Sequence, residues 1–295
     1  MPVFPAEAGR FLHMTYEEIC GILRRSGIDS PEFDAAELLS RFCGVRREEL
    51  IYRKNDDFPS EALERAVSRR AAREPLQYIT GTAAFYGLEF AVGPDCLCPR
   101  PDSETLVEAA AREFPEGGLV ADICTGSGAI AVALLHVRPD LRAVATDISD
   151  GALSSAARNA RSCGVADRFE AVRSDALSAG ALSGLGRRYG GFDALVSNPP
   201  YIPEAELRRP QPELLYEPRI ALDGGDDGLD FYRSICAAAS RGLVKPGGIM
   251  IFEAGAGAAG LVASVGTDCG LEFRGTENDL SGIARAVLLR VPGRG

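Results

Sequence analysis

From residue 118 onward the chain alternates between two hydrophobic patterns, and this alternation restricts the folds open to it. Short apolar runs occupy residues 119–123, 141–146, 169–172, 194–197, 248–252 and 286–291 and read as strands. Residues 129–137, 151–163, 229–243 and 258–267 read as helices. Strands separated by helices imply an α/β fold, a parallel sheet covered by helices on both faces. No internal repeat or low-complexity tract interrupts the pattern.

The first 75 residues follow a different rule and predict short helices. Thr15-Tyr16-Glu17-Glu18 has the form of a capping box ahead of Ile19, Ile22 and Leu23. Ser30-Pro31 supplies an N-cap and a first-turn proline, and Gly44 a stop. Ser60 caps a further helix with Leu63, Ala66 and Val67 on one face. Arg65, Arg69 and Arg73, with Arg70 beside them, form a basic stripe that reads as a solvated face or, alternatively, a docking face. The chain therefore divides into a helical domain (1–75), a linker with strand pieces (76–100) and an α/β domain (101–295).

Composition removes several functions. Of 295 residues, 46% are hydrophobic and 25% charged, which excludes a disordered chain. No apolar run reaches the roughly 18 residues of a spanning helix, so no membrane is expected. Residues 1–10 lack the basic-then-apolar order of a secretory leader. The net charge of −10 argues against indiscriminate binding to nucleic acid or anionic lipid. The eight cysteines include no Cys-x-x-Cys pair and read as reduced thiols of a cytoplasmic protein. The two histidines, His13 and His136, have no ligand cluster around them, so no metal is expected.

Chemistry enters at the first strand-to-helix turn. Asp122-Ile-Cys124-Thr125-Gly126-Ser127-Gly128 follows a strand and opens a helix. Small residues there let a ligand approach the backbone at the helix N-terminus. Asp147 ends the second strand, where a carboxylate can accept both hydroxyls of a ribose. Two cofactors fit this much, a dinucleotide and S-adenosylmethionine. Asp122 suits a cationic sulfonium better than a pyrophosphate. Asp175, with Ala176, follows the third strand, within reach of an adenine.

Asn198-Pro199-Pro200-Tyr201 ends the fourth strand. Two prolines fix φ twice and delete two N–H donors, leaving a rigid turn that presents carbonyl acceptors. Asn198 adds a side-chain carbonyl, and the set suits a planar NH₂ group with two hydrogens to give. Tyr201 offers a face to stack on that group. Amide nitrogen is a poor nucleophile because its lone pair is delocalised, as the rotation barrier of about 18–20 kcal/mol shows. Acceptors on both hydrogens raise electron density on nitrogen and aim it at a methyl donor, so no general base is required.

These motifs resemble those of the PrmC/HemK family, which methylates glutamine in peptide chain release factors. The resemblance extends to Glu74-Pro-Leu-Gln-Tyr-Ile-Thr-Gly81, Phe85-Tyr-Gly87, Pro99-Arg-Pro-Asp102 with Glu104, Tyr216-Glu-Pro-Arg219, Leu222-Asp-Gly-Gly225, Lys245-Pro-Gly-Gly248 and Glu253-Ala-Gly255. It implies a Rossmann-like class I S-adenosylmethionine-dependent methyltransferase domain, with a mostly parallel seven-stranded sheet, behind a small helical domain that helps dock the release factor. It places the methionine part of the cofactor against Thr125, Gly126, Ser127 and Gly128, with Cys124 adjoining. Asp147 is placed on the ribose, and Asp175 and Ala176 near the adenine. Asn198, Pro199, Pro200 and Tyr201 hold the substrate glutamine of a Gly-Gly-Gln loop, with Asn198, Pro199 and Tyr201 as the catalytic group.

The chain departs from that pattern in places. The family has Gly where Cys124 stands, and Cys fits there provided the position avoids positive φ. Ala176 replaces a larger residue beside the adenine. Residues 254–260 lack the Gln that follows Glu-x-Gly elsewhere. Competing readings are an adenine N6-methyltransferase of nucleic acid, an NAD-dependent dehydrogenase and a non-enzymatic adenosyl-binding module.

Overall fold

The computed structural model describes residues 14–208 and 210–293. The segment read for a leader and His13 lie outside these residues. The chain forms two compact units, Met1–Gly81 and Thr82–Gly295. The first unit thus runs past Pro75 and takes in one further helix.

That unit holds α1 (Tyr16–Arg25), α2 (Pro31–Cys43), α3 (Leu50–Arg53), α4 (Glu61–Ala71) and α5 (Leu76–Thr80). Thr15 closes the capping box as expected: its hydroxyl accepts from the Glu18 N–H at 3.3 Å, and the Glu18 carboxylate accepts from the Thr15 N–H at 2.8 Å. Ser60 caps α4 by accepting from the Leu63 N–H. Ser30 makes no side-chain cap, so Pro31 alone marks the start of α2. Ile19, Leu23, Leu38, Leu39 and Leu63 are fully buried in one core. The arginine stripe is not one solvated face. Arg70 is 8% exposed and its Nε donates to the buried Asp34 carboxylate at 2.6 Å. Arg73 lies beyond the end of α4 with φ of 72° and donates to the Gly27 carbonyl. Arg65 and Arg69 pair with Glu61 and Glu74.

The second unit opens with a hairpin, β1 (Thr82–Phe85) and β2 (Leu88–Ala91), followed by α6 (Glu104–Glu113). Then come β3 (Leu119–Ile123), α7 (Ala129–Val137), β4 (Arg142–Asp147), α8 (Asp150–Ser162), β5 (Phe169–Arg173), α9 (Ala179–Tyr189) and β6 (Phe192–Ser197). The chain ends with α10 (Asp230–Ala238), β7 (Val244–Glu253), α11 (Ala259–Asp268), β8 (Glu272–Asn278) and β9 (Ala284–Arg290). The sheet has seven strands in the order β5-β4-β3-β6-β7-β9-β8. The first five pair in parallel, and β9 is antiparallel to both β7 and β8. One core, against α6, α7, α8 and the hairpin, covers one face; a second, against α9, α10 and α11, covers the other.

This topology positions the site. The chain runs outward through β3, β4 and β5, then returns to lay β6 on the other side of β3. The crevice of such a sheet lies where the order reverses, at the carboxyl ends of these two strands. Ile123 pairs with Ser197, so the residues that follow, Cys124 and Asn198, leave the sheet side by side. Ser197 pairs with Phe252, so Glu253 leaves it beside Asn198 on the other flank.

Candidate active site

The loop after β3 is wound tightly enough to require positive φ at Cys124 (62°), Gly126 (55°) and Gly128 (80°). A Cβ on Gly128 would sit 2.9 Å from Ala156 Cβ. Gly128 therefore serves the close approach of α7 to α8, and it is not among the residues lining the cleft. Cys124 does not meet the condition set for it, because it adopts the left-handed conformation that a Cβ disfavours. The loop is pinned from below. The Thr125 N–H donates to the Thr146 carbonyl at 2.9 Å, and its hydroxyl donates to Asp122 at 2.6 Å. Asp122 is 1% exposed, and burial pushes its carboxyl up to about 7. It lies under the loop and acts on the cleft through Thr125. Asn159, fully buried, donates to the Ser127 and Ala91 carbonyls and ties loop and hairpin together.

The cleft is lined by Cys124, Thr125, Gly126 and Ser127 from this loop, by Asp147, and by Asp175 and Ala176 after β5. Asp147 accepts from the Gly126 N–H and from the Ser149 N–H, each at 3.0 Å. Each of its oxygens keeps a further acceptor site, and burial raises its carboxyl above the usual range. Asp175 accepts from the Leu177 N–H, which fixes its side chain in a turn. The set fits an adenosyl ligand: a side-chain-free backbone at Gly126, a paired-acceptor carboxylate at a strand end, and the small Ala176 beside an exposed Leu177.

Asn198 and Pro200 line the same cleft. Pro199 is buried outside the lining. Tyr201 also lies outside it. Its ring packs on Gly255, where an added Cβ would come within 3.3 Å of Cδ2 and Cε2. Burial pushes the Tyr201 hydroxyl up to about 12. The segment then doubles back: the Ile202 N–H donates to the Leu222 carbonyl and the Gly224 N–H to the Ile202 carbonyl, both at 2.9 Å. This return brings Pro218, Ile220 and Ala221 to the cleft wall. Arg100, also in the wall, donates to the buried Glu217 and anchors it there.

Three functional neighbours escaped the sequence reading. Ser103 lines the cleft, is 3% exposed and donates to Glu253, which is 2% exposed. Burial pushes the Glu253 carboxyl up to about 7 despite the opposing Ser103 hydrogen bond, Arg285 charge and Asn198 hydrogen bond. Arg285 is held by Asp279 and Asp102. Glu253 appears in a motif of the family resemblance and Ser103 lies between the motif residues Asp102 and Glu104, but 150 residues separate the two. The β6–β7 register brings Glu253 beside Asn198, and the Asn198 amide donates directly to Ser103.

A reversed-order parallel sheet, a glycine-turn cleft with a strand-end acid and an amide-presenting Asn-Pro-Pro turn define a class I S-adenosylmethionine-dependent methyltransferase. Residues 16–81 match the PrmC N-terminal domain and residues 101–210 the methyltransferase small domain. A release factor glutamine methyltransferase of Moorella thermoacetica is 43% identical over 79% of this chain and 81% of its own length. Another, of Geobacter sulfurreducens, is 43% identical over 90% and 92%. The chain belongs to the release factor glutamine methyltransferase family. A methyltransferase from Pyrococcus furiosus, at 16% identity and a TM-score of 0.50 over 70% of this chain and 90% of its own, shares the fold.

Proposed function

We propose that this protein methylates the side-chain amide nitrogen, N5, of the glutamine in the Gly-Gly-Gln loop of class I release factors, in the cytoplasm where translation ends. The observation that carries this reading is Asn198, which leaves β6 next to the β3 loop and opens on the cleft that Asp147 and Asp175 also line. S-adenosylmethionine, when bound, supplies an electrophilic methyl group. In this reading Thr125, Gly126 and Ser127 face its methionine part, Asp147 the ribose, and Asp175 with Ala176 the adenine.

The chain's own contribution is orientation and electrostatics. Asn198 Oδ1 accepts one hydrogen of the substrate NH₂ group and the Pro199 carbonyl the other. The rigid Pro-Pro turn holds these acceptors in place before substrate arrives, so little reorganisation is needed. Asn198 is not a base; the nitrogen becomes acidic as it gains the methyl group and then releases a proton to water. In this reading the N-terminal helical domain, residues 1–75, helps dock the release factor.

The test is incubation with methyl-labelled S-adenosylmethionine and either a release factor or nucleic acid, followed by mapping of the label. Label on the glutamine of the Gly-Gly-Gln loop is the expected result. Label on adenine in nucleic acid, with none on the release factor, overturns the reading.

A further inference from the structure

The hydrogen bonds behind Asn198 have a direction. Ser103 Oγ–H donates to the Glu253 carboxylate, and Asn198 Nδ2 donates to Ser103 Oγ at 3.2 Å. A hydroxyl has one hydrogen, and above about pH 7, where the Glu253 carboxyl is ionised, that carboxylate only accepts. With its hydrogen committed to Glu253, Ser103 can only accept from Asn198. An asparagine amide can turn over by half a rotation, exchanging its oxygen and nitrogen. Here one orientation is bonded, and the reverse sets Oδ1 against the lone pairs of the buried Ser103 hydroxyl. An unpaired buried polar group costs about 1–3 kcal/mol.

We propose that Ser103 and Glu253 are positioning residues that hold the Asn198 amide with its NH₂ group toward the interior and Oδ1 toward the cleft. The inference rests on the reading of Asn198 as acceptor of the substrate amide. It explains a cost the fold would otherwise have no reason to carry. Glu253 is buried beside Arg285, Asp102 and the Tyr201 and Tyr232 rings, and the Tyr232 hydroxyl is spent on its backbone carbonyl at 2.7 Å, not on its carboxylate. That leaves Ser103 and Asn198 to occupy the carboxylate side chain.

The test is a double-mutant cycle on the full chain, read by single-turnover methylation of a release factor, with S-adenosylmethionine affinity measured by calorimetry. Ser103→Ala is expected to lower the single-turnover rate by on the order of 10-fold, the value of one lost hydrogen bond, with a smaller change in cofactor affinity. Ser103→Thr keeps the hydroxyl and is expected to recover most of the rate. In an Asn198→Ala background the Ser103→Ala loss is expected to shrink to under about 2-fold, because the two residues act as one unit. Glu253→Gln, which preserves size, is expected to show the same dependence on Asn198 and covers the case in which Ser103→Ala fails to fold. Equal losses in both backgrounds, or a wild-type rate for Ser103→Ala, overturn the proposal while leaving Asn198 as substrate acceptor. A wild-type rate for Asn198→Ala overturns both.

Discussion

Cys124 shows how one residue carries a backbone requirement past the chemistry that usually meets it. The loop needs φ of 62° there whichever side chain is present. A non-glycine residue in that conformation costs roughly 1–2 kcal/mol. Glycine would remove that strain but return some of the gain through greater freedom in the unfolded chain. Cys124→Gly is therefore expected to stabilise the methyltransferase unit by about 0.5–1 kcal/mol, raising its melting temperature by about 1–4 °C in calorimetry. A lower melting temperature would mean that the packing of the thiol outweighs the strain. Asp147, Thr125 and Asn198 were legible from the sequence because each sits at the end of a strand whose hydrophobic pattern is plain. Ser103 and Glu253 were not, because an apolar pattern shows where a polar residue leaves a strand but not which distant hydroxyl it meets. The contact of Tyr201 with Gly255 was not legible either, because Gly255 has no side chain to betray it.

Elements were legible where their own burial set the pattern. β3, β6 and α7 are buried along most of their length and read as mainly apolar runs. β8 was missed because it is an exposed edge strand, Glu-Phe-Arg-Gly-Thr-Glu-Asn, and a charged edge protects against pairing with other chains. α9 was missed because three glycines break its helical signal. The helix read over residues 229–243 divides at its end, where Gly242 takes φ of 101°. The basic stripe of α4 was misread because sequence spacing does not distinguish a solvated arginine from one that reaches inward. Arg70 and Asp34 form a buried pair, whereas Arg65 and Glu61 are both exposed. Arg70→Ala strands a buried carboxylate and is expected to cost about 3–5 kcal/mol. Arg65→Ala is expected to cost no more than about 0.5 kcal/mol. Urea unfolding of the full chain measures both. Equal effects would contradict the burial of the pair.

At the scale of the molecule, two units with separate cores divide the work. The whole cleft is built from residues after Gly81, so cofactor binding belongs to the second unit. A chain beginning at Thr82 is expected to keep its S-adenosylmethionine affinity, while kcat/KM on intact release factor falls by on the order of 10²-fold through lost docking. Unchanged kcat/KM would remove the docking role. No helix among the described residues is long and apolar enough to cross a membrane. The α/β architecture could be read from the alternation of patterns, and the reversal of strand order then placed the crevice. The family resemblance implied a mostly parallel sheet, and the structure identifies β9 as its antiparallel strand, since strand direction leaves no mark on a single strand's composition.

The central claim is that Asn198 activates the substrate nitrogen by accepting its hydrogen. Single-turnover methylation of a release factor by Asn198→Ala, at saturating S-adenosylmethionine, tests it directly. Loss of a preorganised hydrogen-bonding group at a reacting centre lowers rates by about 10²–10³-fold. A loss of at least that size is expected, with cofactor affinity falling far less and the melting temperature nearly unchanged. A near-normal single-turnover rate would reduce Asn198-Pro199-Pro200 to a rigid loop and contradict the account.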